Sequence, residues 1–157
     1  RMTVAEAVTM VRRLIQTPAG VTCPCCGGLA VERKRTLNAP VASFVGWLVR
    51  AFTSEPLDAR RWVDAHPEHS RGGTYARARH WGLAMREIGQ APLWRPTEKA
   101  KAWVYGRTSI HQHVVLFRNT VQRFEGALVH YRDVGPSDEV QRGAGPAPTL
   151  PGLDGSP

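Results

Sequence analysis

The chain has 157 residues, room for one ordinary core with a small appended unit but not for two full domains. Its 42% apolar and 22% charged residues, with five Trp, are the composition of a folding globular chain, not a disordered or fibrous one. No apolar run approaches the roughly 20 residues that span a bilayer, and the N-terminal pattern is an amphipathic helix, so the expectation is a soluble, cytoplasmic protein with no membrane partner.

The formal net charge of +8 turns the partner question toward polyanions. The charge is concentrated: residues 71–107 hold eight basic against two acidic residues, residues 1–70 nine against six, and residues 108–157 four against five.

Thr3 and Glu6 have capping-box spacing, and Val4, Val8, Val11 and Ile15 fall on one face of a helix ending near Gln16. Residues 20–36 read as a cysteine knuckle running into a strand. Cys23, Cys25 and Cys26 are too clustered for a disulfide framework, which fits a reducing compartment. Cys23 and Cys26 form a C-x-x-C pair before Gly27-Gly28, half of a tetrahedral Zn site. His66 and His69, spaced H-x-x-H, are the nearest candidates to complete it, with His111 and His113 as a second choice. The alternative is a turn that keeps its shape without metal.

A second helix is expected after the cap Asn38, with Pro40 in its first turn and Val41, Phe44, Val45, Leu48 and Phe52 inward. A shorter helix follows from about Leu57 to Ala65 with Trp62 on its inner face. A turn at Ser70-Arg71-Gly72-Gly73 leads into a helix from Thr74 to Trp81, closed by Gly82 as a left-handed cap. Residues Leu83 to Ile88 and Leu93 to Arg95 flank a breaker and predict a hairpin. Thr97 caps a helix to about Tyr105, with Ala100, Trp103 and Val104 inward.

The runs His113 to Phe117 and Val121 to Phe124 predict a further hairpin, with Ala127 to Tyr131 as a third strand. Residues 134–157, rich in Gly and Pro and without aromatics, are expected to form a flexible tail. The predicted architecture is α+β: one winged helix-turn-helix domain over residues 1–133. Its helix-turn-helix and wing occupy residues 56–107, the cysteine knuckle precedes them, and a β-hairpin extension occupies residues 111–133.

Such a unit would read duplex DNA with the helix Thr74 to Trp81. Arg71, Thr74, Arg77, Arg79 and His80 are the candidate contacts there, arginine being suited to paired hydrogen bonds with guanine. Arg86 and Arg95 on the wing strands, Gln90 near the tip, and Lys99, Lys101 and Arg107 beyond would hold phosphates. Six such contacts imply a log–log salt slope of about −5. The rival reading is a protein-interaction module whose basic face meets an acidic surface; RNA is a third partner, without a stacked-aromatic signature to support it. No G-x-S-x-G, phosphate loop or H-E-x-x-H spacing occurs, so a non-enzymatic role is expected. Whether the chain is a monomer or a dimer stays open at this stage.

The stretches His80-Trp81-Gly82-Leu83 and Leu93-Trp94-Arg95-Pro96-Thr97-Glu98-Lys99-Ala100 resemble the wing region of MarR-like winged-helix regulators, in which a Gly-Leu leads into the wing and an LTxKG pattern starts the next helix. Pro96 stands where an apolar strand residue is usual and Ala100 where Gly is usual. Over about residues 20–133, the order of a Cys-Pro-x-Cys-Gly knuckle, an apolar helix, a Gly-Gly-led Tyr helix and Trp-Gly-Leu also resembles a group of small phage and prophage proteins regarded as DNA-binding. That resemblance implies a virus or mobile element acting in a bacterial host cell. It implies transcription regulation, or engagement of a host or defence protein.

Overall fold

The structure, a computed structural model, describes residues 2–69, 73–89 and 92–135. The expected tail beyond residue 135, together with Arg71 and Gln90, lies outside the described residues.

Helix α1 (Val4–Leu14) begins at the expected capping box, with the Thr3 N–H donating to Glu6 Oε2 at 2.7 Å and the Glu6 N–H to the Thr3 hydroxyl at 3.3 Å. Its apolar face is only half covered. Ala7 and Ile15 are buried, but Val4 is 74% and Val8 43% exposed. Strands β1 (Val21–Thr22) and β2 (Leu29–Ala30) then pair around the cysteines.

A hairpin and one sequence-distant strand make the next sheet. Strand β3 (Arg33–Thr36) runs antiparallel to β7 (Ile110–Phe117), which pairs on its other side with β8 (Thr120–Val129). This corrects the third strand expected at Ala127 to Tyr131. Gly126, at φ +81, and the nearby register shift let β8 continue to Val129, and Tyr131 instead opens the short helix α6 (Tyr131–Val134). The third strand is β3, drawn from 77 residues away and stitched by the Thr36 hydroxyl to His113 Nδ1 at 3.1 Å.

Helix α2 (Ala39–Ala51) starts at Asn38, whose side chain accepts the Val41 N–H at 3.2 Å. Leu57 and Asp58, expected as helix, form strand β4 instead, because they pair with Trp94 and Leu93. Asp58 also caps α3 (Ala59–Ala65), accepting the Arg60 N–H at 2.9 Å. A 3-10 turn at Pro67–His69 follows. Helix α4 (Thr74–Arg77) tightens into a 3-10 helix at Ala78–Trp81, and Gly82 closes it at φ +68, as its position suggested.

Strands β5 (Ala84–Arg86) and β6 (Leu93–Pro96) form the expected hairpin, and β4 joins it to give the order β4-β6-β5. Thr97 caps α5 (Glu98–Val104). The fold is therefore mixed α+β with small sheets. Among the described residues no helix is long and apolar enough to cross a membrane.

The core is organised on α2, which buries Val41, Ala42, Ser43, Phe44, Val45, Gly46, Leu48 and Val49. Phe44 meets Trp62 and Trp94 edge-on, with ring centroids 5.4 and 6.4 Å away. Two other tryptophans staple the C-terminal sheet onto the helices: Trp81 Nε1 donates to the His111 carbonyl at 3.0 Å and Trp103 Nε1 to the Val129 carbonyl at 3.1 Å.

Tyr131 of α6 lies flat against α2 at Gly46. A Cβ added there would stand 2.0 Å from the Tyr131 hydroxyl and 2.9 Å from its Cζ. Gly46→Ala should therefore destabilise the protein by about 1–3 kcal/mol in denaturant unfolding, as overpacked sites do. The loss should shrink in a Tyr131→Phe background, because the closest clashing atom is gone. An equal loss in both backgrounds would show that the Tyr131 hydroxyl is not what crowds position 46.

Candidate functional site

The α4 segment and its 3-10 continuation turn one face to the core. Thr74, Ala78, His80 and Trp81 are buried, and the Thr74 hydroxyl is bonded to the His69 carbonyl at 3.2 Å. Thr74 and His80 are thus corrected as candidate partner contacts, because packing against α2 places them inside. Arg79 is exposed and Arg77 half-buried on the same turns, and neither makes an ion pair among the described residues.

The other predicted cations divide by what they touch. Arg86 on β5 is exposed and unpaired among the described residues. Arg95 on β6 pairs with Glu87, and Lys101 with Glu98 at 2.6 Å while lying 5.7 Å from the Phe52 ring. Arg107 stacks on Tyr105 at 5.9 Å.

Lys99 serves a structural purpose and not the phosphate contact expected of it. Although the residue is exposed as a whole, its ammonium donates to the Trp81 carbonyl at 2.8 Å and sits 5.2 Å above the Phe124 ring. Loss of hydration there lowers its pKa. The Thr97 hydroxyl donates to the Gly82 carbonyl at 2.6 Å and accepts the Ala100 N–H at 3.1 Å. One Thr-x-Lys segment thereby caps the carbonyl end of the 3-10 helix and the amide end of α5.

Around the buried His80 the charges are all of one sign. Burial first, then the nearby positive charges of Arg79, Arg35 and Arg77, hold its imidazole below its ordinary pKa of 6.5. Arg35 comes from β3, an element that sequence reasoning treated only as the end of the knuckle. Its alternation was a usable signal. In Arg33-Lys34-Arg35-Thr36 a period of two puts both arginines on one face, while Lys34 turns to the other and pairs with Glu125 at 2.8 Å.

The cysteines sit apart from this face. The Cys23 N–H donates to the Gly28 carbonyl and the Gly27 N–H to the Cys23 carbonyl, both at 2.8 Å, closing a tight turn. Hydrogen bonds from the Cys25 and Cys26 backbone N–H groups, then from the Cys26 thiol, lower the Cys23 pKa. His66 and His69 are not brought to that turn. Both stack on Trp62, at 4.9 and 5.9 Å, and His66 Nδ1 lies 2.9 Å from the Trp62 carbonyl. Among the described residues no group of three or more His, Cys, Asp or Glu is assembled as a metal site, so Cys23, Cys26, His66 and His69 do not converge as a ligand set.

Comparison of the chain with known protein families, with curated proteins and with solved structures finds no match.

Two outcomes follow from the shifted groups. The His80 ring should titrate by NMR with a midpoint below 6.5. Because the unfolded chain then binds a proton that the folded one does not, His80 should cost stability as pH falls from about 7 through 6.5 toward its folded midpoint. A midpoint at or above 6.5 would contradict the geometry. Near neutral pH, limiting iodoacetamide should modify Cys23 ahead of the more exposed Cys25, read by peptide mass mapping. Faster labelling of Cys25 would mean that the turn does not stabilise the Cys23 thiolate.

Proposed function

We propose that this is a non-enzymatic nucleic-acid-binding protein that grips duplex DNA through its phosphate backbone, using the face built by α4, its 3-10 continuation and the neighbouring strands. The observation that carries this reading is that Arg77 and Arg79 stand on the helical segment packed on α2 and β7, with Arg35 on the strand paired to β7, each without an ion-pair partner among the described residues. Holding like charges together costs free energy in the isolated protein and is offset when a polyanion arrives.

The connectivity supports it. The succession α2, β4, α3, α4, β5, β6, with strand order β4-β6-β5, is the arrangement expected of a winged helix-turn-helix. The helix in the recognition position is short, however, with four α-helical and four 3-10 residues, half of them buried. A reader of the major groove presents three or four side chains to base edges. This helix offers Arg77 and Arg79. Two arginines on a short turn position a duplex better than they read its sequence.

Of the cations first assigned to DNA, Arg77, Arg79 and Arg86 are described and make neither an ion pair nor a ring contact among the described residues. Three phosphate contacts give a log–log salt slope of about −3, shallower than the −5 expected from the sequence. Titration of a random duplex across a salt series should show a slope at least that steep, reduced by about 0.9 in each of Arg77→Ala and Arg79→Ala. Failure of the unaltered protein to bind duplex near physiological salt would remove the reading and favour an acidic protein surface as the partner of the same charges.

A further inference from the structure

A cleft of about 160 Å³ opens between β3 and the β7–β8 turn, lined by Arg33, Arg35, Arg118 and Asn119 together with apolar side chains that include Val31 and Leu116. It is well below the ~300–1,000 Å³ of pockets that hold drug-sized molecules, so it suits a single small group. No carboxylate lines it. The nearby acids are engaged elsewhere: Glu125 pairs with Lys34 and Arg123, and Glu32 with Arg123 at 2.8 Å. The strand register places Lys34 and Arg123 opposite Val115, on the other face of the sheet from Arg33 and Arg35.

The three arginines are exposed and make no ion pair among the described residues. Arg118 is held in place from below. It sits in a two-residue turn with Asn119, at φ +49 and +64, and its guanidinium lies 5.7 Å from the Phe117 ring. Three guanidinium forks facing a cleft of this size match the oxygens of a tetrahedral dianion or a phosphodiester, which they can hold by charge-assisted hydrogen bonds.

Arg35 belongs to both groups. It lines this cleft and pairs across to Val114 of β7, the strand on which the 3-10 helix carrying Arg79 packs, with Trp81 Nε1 donating to the His111 carbonyl; its charge joins those of Arg77 and Arg79 in lowering the His80 pKa. The cleft therefore continues the basic face instead of forming a separate patch.

We infer that the Arg33–Arg35–Arg118 cleft is a phosphate-binding site, and, resting on the nucleic-acid reading above, that it holds a backbone phosphodiester of the strand passing Arg77 and Arg79. Contact with all three cleft arginines, added to Arg77, Arg79 and Arg86, raises the salt slope from about −3 to about −5. The sequence-based value returns, carried by different residues.

Two measurements test this. The first titrates inorganic pyrophosphate into the isotope-labelled protein and follows the backbone amides. Saturable shifts are expected at Arg33, Arg35, Arg118 and Asn119, with loss of saturation in the Arg33→Ala, Arg35→Ala double variant; no saturable shift at these amides overturns the site. The second repeats the duplex salt series with that double variant, for which the slope should become shallower by about 1.8. Arg123→Ala, on the opposite face, should leave it unchanged.

An unaltered slope in the double variant, where Arg77→Ala and Arg79→Ala do reduce it, overturns the inference while leaving the duplex reading standing. Pyrophosphate shifts at the cleft in a protein that binds no duplex retain the anion site and sink the duplex reading. An effect of the double variant confined to 5′-phosphorylated duplex overturns the backbone assignment in favour of a strand terminus.

Discussion

A helix with almost no face for water governs this fold. Eight of the thirteen residues of α2 are buried, and its one well-exposed charge is Arg50 near the C-terminal end. A helix that is apolar on most sides must be surrounded. The α4 segment, α5, β6 and α6 each pack against it, and the requirement to cover it decides which of their side chains face inward. Thr74 and His80 go inside because the turn carrying Tyr75, Ala78 and Trp81 is pressed onto α2. Arg77 and Arg79 are left outside by the same rotation. The basic face is thus the complement of the core packing, set by one helix periodicity.

The stretch from Trp94 to Lys99 shows how a motif can be structural and still border a basic face. Thr97 and Lys99 hold the carbonyl end of one helical segment against the start of the next, so these positions have a mechanical task. A lysine committed to a backbone carbonyl and an aromatic ring contributes little to a phosphate track. With Arg95 and Lys101 paired to acids as well, the free positive charge moves toward β3 and the β7–β8 turn, away from where a count along the chain places it.

What could be read from the sequence was local. The boxes and caps at Thr3, Asn38 and Thr97, the left-handed Gly82, and the hairpin after Leu83 each depend on residues within a few positions of one another, and each is found. What escaped was long-range. Arg33 to Thr36 carries no apolar alternation, because as an edge strand it leaves all four residues exposed; only pairing with β7 makes it a strand. Leu57 and Asp58 looked like the first turn of α3, since Asp58 does cap it, and β6 recruits them. The exposed valines of α1 carry the same lesson in reverse. Periodicity finds the helix, but burial depends on a partner that the local pattern does not contain. Of the candidate contacts, Arg79 and Arg86 are exposed and Arg77 is half-buried, and Arg33, Arg35 and Arg118 enter only once the two ends of the loop from β3 to β7 lie side by side.

That meeting of the ends has a kinetic side. Sequence-local contacts from α2 through α5 can condense early, whereas β3 reaches β7 only by closing a loop of some 77 residues, an entropic cost that must be met before the contact returns anything. A partly condensed chain would already display Arg77 and Arg79 while lacking the Arg33–Arg35–Arg118 cleft. An anion that bridges the two regions favours the closed chain over the partly condensed one by mass action. A ligand of the proposed site would then act as a late-stage fastener of the same closure that creates that site.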